Sequence, residues 1–600
     1  MEQEHPLIEL IKWLLKPRKA PVPPIAWLLL LAGILYLMLG QGETPPPREF
    51  VTERIVVATP TPGPAVTPTP RPTPVGSGGT LAFTMRHNGN SDIYLISQNT
   101  GNLLRLTYDP AEDRDPAWSP DGRKLAFASR RAQNWDLYMM DMTSGTVLRL
   151  TRSPYFEANP TWSPDGRWLA YEAYDEDNLD IYVLNVESGH SQRLTNSPAP
   201  EYAPAWAPDG RHIAFTAYEN NNRDLYLISL DDGTTLNLTN TPNQDENFAA
   251  WSPKGDYLAY SAGVPGDETI WMIPFEKEAM TSGELRPVLF GVGGQPVWSP
   301  DGEALAFIFR QRETSYLIAA NTTGWALAQE GYSTTDWMNT PDWTATALDP
   351  KFEAQLQRQM TEERPPLYTE VLRSSPTEHY QLIPLPDVNG SNSAQQLSDR
   401  VNDSFNAMRK TVLAQTGWDY LSILGDSSRA MNHTPRPGQG RISWHVCGRA
   451  IDINQGFLRQ GLIELVREDI GGVTYWRVFI KAREQDGSLG EPLRSAPWDL
   501  NARAEGEEAT VQGGKLKPIP AGYYIDFTTI AADYGWERRN ALSNWRSSYF
   551  DIEWWHFQKT EGMSWYNCML EIYTAEEIEE SYGDLPWWTE RPEWEVQAMP

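Results

Sequence analysis

The motif Trp-Ser-Pro-Asp-Gly, or a single-residue variant (Ala207 for serine, Lys254 for aspartate), followed within a few residues by Leu-Ala-Phe or a close variant, recurs at Trp118, Trp162, Trp206, Trp251 and Trp298, with a worn copy at Trp343. Successive tryptophans lie 44 to 47 residues apart, the period of a four-stranded propeller blade. Proline fixes one turn dihedral and glycine accepts a positive one, so each motif marks a tight turn between strands. Each unit also carries an Asp-Ile-Tyr-type strand, at Asp92, Asp136, Asp180 and Asp224, and the first three an Arg-Leu-Thr-type strand at Arg105, Arg149 and Arg193. The Leu-Ala-Phe element occurs six times, at Leu81, Leu125, Leu169, Ile213, Leu258 and Leu305. Its first copy lacks a preceding tryptophan strand, and the last tryptophan strand, Asp342-Trp343-Thr344, lacks a following partner. Pairing these two closes a six-bladed ring with no free edge.

Six hundred residues exceed one core, so further domains are expected. The formal net charge of -29 argues against nucleic acid as a partner, because binding there requires basic surface. Residues 22–40 read VPPIAWLLLLAGILYLMLG without a charge, about 28 Å as a helix and enough to span a bilayer. Lys12, Lys16, Arg18 and Lys19 precede this run and Glu43 follows it, which places the N-terminus in the cytoplasm and the bulk of the chain outside. No clear small-x-small site follows, favouring an uncleaved anchor over a removed signal peptide. Residues 7–15 (LIELIKWLL) are amphipathic, suited to the inner membrane face or to a cytoplasmic tail. Residues 58–74 read ATPTPGPAVTPTPRPTP; alternating proline favours polyproline II, a semi-rigid stalk of about 3 Å per residue.

The chemistry-bearing residues lie near the C-terminus, in Ser443-Trp-His445-Val-Cys-Gly448-Arg-Ala450-Ile-Asp452 and in Glu553-Trp-Trp-His556. Two imidazoles and a carboxylate suit a three-ligand zinc site that keeps its fourth position for water, with Glu553 left as a general base. Spacing alone does not prove a shared metal. Residues three apart on a regular strand face opposite sides, so a bulge or strand end has to bring Glu553 and His556 together. The two motifs resemble those of the zinc D-alanyl-D-alanine carboxypeptidases and dipeptidases, whose pattern is Ser-x-His-x-x-Gly-x-Ala-x-Asp followed by Glu-x-Trp-His or Glu-Trp-Trp-His. The resemblance implies that His445, Asp452 and His556 hold Zn2+ and that Glu553 takes the proton of the attacking water. Arg429, in Gly425-Asp-Ser-Ser-Arg429, matches the family arginine that contacts substrate and steadies the oxyanion, although serine stands where tyrosine is usual. Ser443 is implied to orient substrate or the histidine loop. Over residues 79–346 the repeat array resembles the TolB-like propellers. No Gly-x-Ser-x-Gly occurs, which disfavours the serine peptidases often fused to propellers.

The expected fold class is therefore multidomain: an N-terminal single transmembrane helix, a six-bladed all-β propeller, then an α+β zinc peptidase domain. Expected boundaries are a cytoplasmic segment 1–21, an anchor 22–40, a Pro/Thr-rich stalk 41–78, the propeller 79–346, a connector 347–396, the zinc domain 397–573 with an insertion near 462–515, and an acidic Trp-rich tail 574–600. The connector includes a helix around Phe352–Met360. Leu397, Val401, Phe405, Met408 and Val412 predict a helix with Ser398 as cap, and Tyr420–Ile423 predicts a strand. The insertion is read as a strand over Val473–Ile480 and a loop near 502–514. Trp554 and Trp555 are expected to pack the cleft wall, and His379 and His433 to be surface or core residues. Acidic runs such as Asp175–Asp177 read as solvated turns rather than calcium loops. Cys447 and Cys568 are the two cysteines; a disulfide between them and two free thiols both remain open, and Cys447 is not a ligand in the resembled pattern. The expected function is a membrane-anchored, extracytoplasmic zinc metallopeptidase cutting peptidoglycan stem peptides, its propeller binding a protein or glycan or positioning the enzyme. The alternative is a non-catalytic envelope scaffold.

Overall fold

A computed structural model describes residues 78–592, apart from 243, 265, 276–285, 312–313, 323–330, 361–364, 374–378, 391–394 and 433–441. The anchor, its basic flank and all but the last residue of the stalk segment lie outside the described residues, as do His433 and the end of the tail. No helix among the described residues is long and apolar enough to cross a membrane.

Residues 80–344 form six four-stranded antiparallel sheets. The closing blade joins strand Trp337–Thr344 to Thr80–His87, with Leu81 opposite Trp343. Ring closure thus uses the two strands that the repeat count left unpaired. The motif turn is rigid for a local reason. In Ser119-Pro-Asp-Gly122 the Asp121 carboxylate accepts from Ser119 Oγ at 2.7 Å and from Arg123 N at 3.1 Å, while Gly122 takes φ 65°. The tryptophans tie blades together: the indole N–H of Trp162 donates to Ala117 O at 3.0 Å, Trp251 to Ala205 O at 3.2 Å and Trp298 to Ala250 O at 3.0 Å. In each of these pairs the acceptor is the residue just before the previous blade's tryptophan.

Innermost strands line the central channel, and five carry a proline two residues before the tryptophan: Pro116, Pro160, Pro204, Pro296 and Pro341. An edge strand facing a channel tolerates the missing donor. The residue before each of those prolines sits at positive φ (Asp115, Asn159, Ala203, Gln295, Thr340), as does Phe248 in the remaining blade. The bulges there break the ladder and turn the strand ends toward one mouth of the ring.

Inside blades one to three the Asp-Ile-Tyr aspartate pairs with the Arg-Leu-Thr arginine: Arg105–Asp92 at 2.9 Å, Arg149–Asp136 at 2.8 Å and Arg193–Asp180 at 2.6 Å. Blade four replaces the arginine by Asn237, whose amide donates to Asp224 at 3.0 Å. The neighbouring Glu246 is only 1% exposed and its Oε2 has no hydrogen-bond partner. Burial, reinforced by the Asp224 and Asp245 charges and opposed by the Thr241 and Thr239 hydroxyls, pushes its carboxyl up to about 8. A raised carboxyl keeps in the fold a proton that the unfolded chain releases above about 4.5, so its contribution falls as pH rises from about 4.5 to about 8. Glu246→Gln should therefore leave thermal stability unchanged at pH 4 and raise it at pH 8, by at most roughly 4 kcal/mol, read from melting curves across that range.

After the propeller, helix Pro350–Gln359 is capped by Asp349. The C-terminal domain contains a five-stranded sheet in the order Asn389–Gly390, Ile423–Asp426, Ala450–Ile453, His556–Gln558, Glu537–Arg538. One face packs Leu424, Ile451, Ile453 and Phe557 into the domain core with helix Asn402–Thr416. A second sheet, Ile463–Ile470, Val473–Lys481, Tyr523–Asp526 and Glu491–Pro492, forms the inserted layer and runs on past residue 515.

Three local expectations need correction. Leu397 and Ser398 lie on a short strand, Gln396–Ser398, paired with Leu382–Pro384, so Ser398 caps nothing. The helix starts at Asn402 without a side-chain cap from Val401; Glu370 supplies one from a distance, accepting from Asp403 N at 3.1 Å and Ser404 N at 3.0 Å. Tyr420–Ser422 is a 3-10 turn, with both Tyr420 and Leu421 buried, and the strand begins at Ile423. Ser422 Oγ donates to Asp419 O at 2.6 Å, a local bond that competes with extended backbone. Residues 501–512 form a 3-10 turn and a helix, Glu507–Gln512, closed by Gly513 at φ 73°.

Candidate metal centre

Register builds the site. Asp426 pairs with Asp452 across two antiparallel strands, and Asp452 with His556 across the next two. Directly opposed residues share a face, so these three side chains stand in a row on the side away from the core. His445 arrives from a separate turn, residues 443–448, in which Val446 N donates to Ser443 O at 3.1 Å and Gly448 N to His445 O at 3.2 Å. Gly448 has φ 69°, and a Cβ there would lie 2.7 Å from Ser398 N and 2.4 Å from a Leu382 methyl. Glycine is needed because the turn presses against the Gln396–Ser398 strand.

His445, Asp452 and His556 are buried, and their candidate ligand atoms lie within 4.8 Å of one another. Asp452 Oδ1 stands 3.1 Å from His445 Nε2 and 3.0 Å from His556 Nδ1. Ligand atoms about 2.0–2.1 Å from a tetrahedral zinc are roughly 3.3 Å apart, which the two oxygen–nitrogen separations match, while the two imidazole nitrogens lie within 4.8 Å of each other. His556 Nε2 lies 3.2 Å from Gln558 Oε1; donation there leaves Nδ1 as the free lone pair facing the site. Burial alone would raise the Asp452 carboxyl, but the two imidazoles beside it outweigh burial and hold it well below the usual carboxylate range.

Arg429 braces the arrangement. Its Nε donates to Asp426 at 2.7 Å, Nη1 to Ser443 Oγ at 3.2 Å and Nη2 to Asp452 Oδ2 at 3.2 Å. Three of the five guanidinium N–H groups are thereby committed, which leaves one on each terminal nitrogen for a substrate oxygen. Ser443 Oγ also accepts from His445 N at 3.3 Å, a contact to the histidine loop itself. Glu553 and His556 form a turn closed by His556 N donating to Glu553 O at 3.1 Å, with Glu553 at φ 59°. That turn is how residues three apart leave regular strand geometry.

Trp554 and Trp555 are core residues at 1% and 4% exposure, Trp555 stacking on Tyr549. His379 is remote from the cluster and bonds to Leu570 O at 3.2 Å. Cys447 and Cys568 are joined in a disulfide with Cα atoms 5.9 Å apart. Sequence reasoning missed two residues, Asp426 and Gln558. The second was legible, because period-two alternation puts Gln558 on the face of His556.

The family profile described as "PD40: TolB beta propeller domain" matches residues 49–159 and 149–343. This chain carries a TolB-like PD40 propeller domain. Among solved structures, TolB from Acinetobacter baumannii is 19% identical with TM-score 0.37; the match covers 44% of this chain and 66% of that one. A putative TolB from Agrobacterium tumefaciens is also 19% identical, with TM-score 0.35 and coverage of 44% and 91%. An oligogalacturonate lyase in complex with manganese is 16% identical, with TM-score 0.34 and coverage of 42% and 73%. No curated protein sequence matches this chain.

Proposed function

We propose that the C-terminal domain is a zinc metallopeptidase of the D-alanyl-D-alanine carboxypeptidase type, hydrolysing peptide bonds in peptidoglycan stem peptides outside a membrane that residues 22–40 would anchor. The observation that carries this reading is the convergence of His445, Asp452 and His556 on one point from three separate stretches of chain. The complete Ser-x-His-x-x-Gly-x-Ala-x-Asp and Glu-Trp-Trp-His motifs add to it.

A zinc ion held by these three residues would supply Lewis-acid chemistry for amide hydrolysis at neutral pH. The chain supplies the rest. In this reading Glu553, on the turn that leads into His556, would take a proton from the attacking water and return it to the leaving amine. The two uncommitted N–H groups of Arg429 are pre-aimed donors for a carbonyl oxygen that gains charge, or for a substrate carboxylate. Ser443 fixes both Arg429 and the His445 backbone, so it acts by orienting them.

The test is zinc analysis of the purified chain together with mass spectrometry of products from muropeptides ending in D-alanyl-D-alanine. One zinc per chain and release of D-alanine are expected, with zinc lost in His556→Ala. A chain that takes up no zinc and leaves every muropeptide intact would remove the peptidase and favour an envelope scaffold.

A further inference from the structure

Asp452 and His556 are held by strand pairing within one sheet, whereas His445 rides on a turn and needs another support. That support comes from a single stretch of chain, residues 559–573, which touches four positions of the segment on either side of His445. The Trp565 indole N–H donates to Ser443 O at 3.1 Å, and the Tyr573 hydroxyl donates to Val446 O at 3.3 Å. Cys568 is bonded to Cys447. The Arg449 guanidinium, fully buried, is gripped by Glu571 at 2.9 Å and Glu561 at 3.0 Å and donates to Lys559 O at 3.1 Å. Trp444, Val446, Cys447, Trp565, Cys568 and Met569 share one buried cluster, which shields the disulfide and the Trp565 indole.

The stretch is itself braced. Helix Trp565–Leu570 is capped by Ser564, whose hydroxyl accepts from Asn567 N at 3.1 Å. The following helix, Ala575–Tyr582, begins with a Thr574–Glu577 capping box, buries Ile578 and sets Tyr582 edge-on against Trp565 at 5.2 Å. Trp565, on which the ligand turn leans, is thus backed by helix Ala575–Tyr582.

We propose that residues 559–573 form a clamp that holds His445 in ligating position, with Cys568 and Trp565 as its positioning residues; this rests on the zinc reading above. The clamp acts on one ligand of three, because Asp452 and His556 keep their places through the sheet. Its loss weakens the metal centre and removes one imidazole from the coordination, while the sheet pair stays. Supporting contacts of this kind are worth about 10- to 100-fold in metal affinity.

The test is titration of the full chain with Co2+, following its visible absorption, in wild type and in Cys568→Ala. Expected are an affinity about 10- to 100-fold lower and a band position shifted by loss of the His445 nitrogen, in a chain that circular dichroism shows still folded at the titration temperature. Trp565→Phe is a milder arm that keeps the ring and the disulfide and deletes one N–H donor. It should cost about 2- to 10-fold in affinity, and it decides the matter if Cys568→Ala does not fold. Wild-type affinity and spectrum in a folded Cys568→Ala, or in Trp565→Phe when Cys568→Ala does not fold, would overturn the clamp and leave the zinc reading intact. A wild-type chain that binds no Co2+ would overturn both.

Discussion

On the proposed zinc-peptidase function, with Glu553 as its base, Glu553→Gln should leave the zinc content of the chain at the wild-type level and lower the rate of muropeptide cleavage by about 10²- to 10⁴-fold, the usual worth of a positioned general base. Glutamine matches glutamate in shape, so the turn that places His556 is preserved. The turn matters here, since Glu553 sits at φ 59° and its carbonyl accepts the His556 N–H. A non-glycine residue in the left-handed region carries a conformational cost, and such residues gather where a side chain must point in one direction. Glu553 and His556 thus belong to one backbone turn, which an isosteric substitution leaves in place. Only the ability to accept a proton changes in the variant. A rate within a factor of two of wild type, with zinc still bound, would assign the base to another group. Comparing kcat with KM sharpens the reading: loss of a base lowers kcat, whereas a displaced His556 would first lower the zinc content.

The parts of this architecture that the sequence discloses are those whose physics is local or periodic. Blade period, the Pro-Asp-Gly turns and ring closure all follow from residues repeated at fixed steps, and Leu81 opposite Trp343 is read directly from that count. Asp452 is similarly readable, because Ala450–Ile453 alternates between site and core. What escapes is supplied by distant chain. The helix over Asn402–Thr416 draws its N-terminal cap from Glu370, so the local search settled on Ser398, a residue engaged in a strand. Tyr420 and Leu421 are both buried, a pattern no single strand face allows, and a serine–aspartate bond converts the segment into a turn. Asp426 lies in the Gly425–Arg429 stretch read only for its arginine; strand register sets it beside Asp452. Joining the propeller to the inserted layer was wholly invisible in sequence, since arginine and glutamate more than three hundred residues apart leave no local trace.

Glu172→Ala should destabilise the chain by about 3–5 kcal/mol, more than any other single truncation on the propeller side of that junction. Glu172 belongs to the blade strand Trp168–Asp175 and is fully buried. One carboxylate oxygen takes the guanidinium of Arg494 from the inserted layer, and the other accepts from Ala203 N at 3.0 Å, at a bulge of the next blade. Truncation leaves the half-buried Arg494 guanidinium with Glu491, 3.6 Å away, and Asp115 as the remaining nearby carboxylates, and orphans a buried N–H. Glu491 has little to spare, because Arg114 already holds it at 2.7 and 3.0 Å while stacking over Trp135 at 4.0 Å. Around this network the layer covers the mouth of the ring: Arg86 is held by Asp533 at 2.8 Å, and Tyr174 packs edge-on against Tyr523 at 5.2 Å. A cavity of about 430 Å³ between the two is lined by the bulge residues Asp115, Asn159, Ala203, Phe248, Gln295 and Thr340 together with Phe479, Arg494 and Tyr524. With the pair intact, propeller and C-terminal domain should unfold in one transition; in Glu172→Ala, calorimetry should resolve two, the C-terminal domain melting first because its inserted sheet loses the surface it rests on. Glu172→Gln fills the same space and keeps one acceptor, enough for the Ala203 N–H, but its amide NH2 then faces the Arg494 guanidinium donor to donor; it should cost less than Glu172→Ala and still destabilise. Equal, small losses in both variants would mean that the junction is held by its aromatic contacts and that the charges are solvated there.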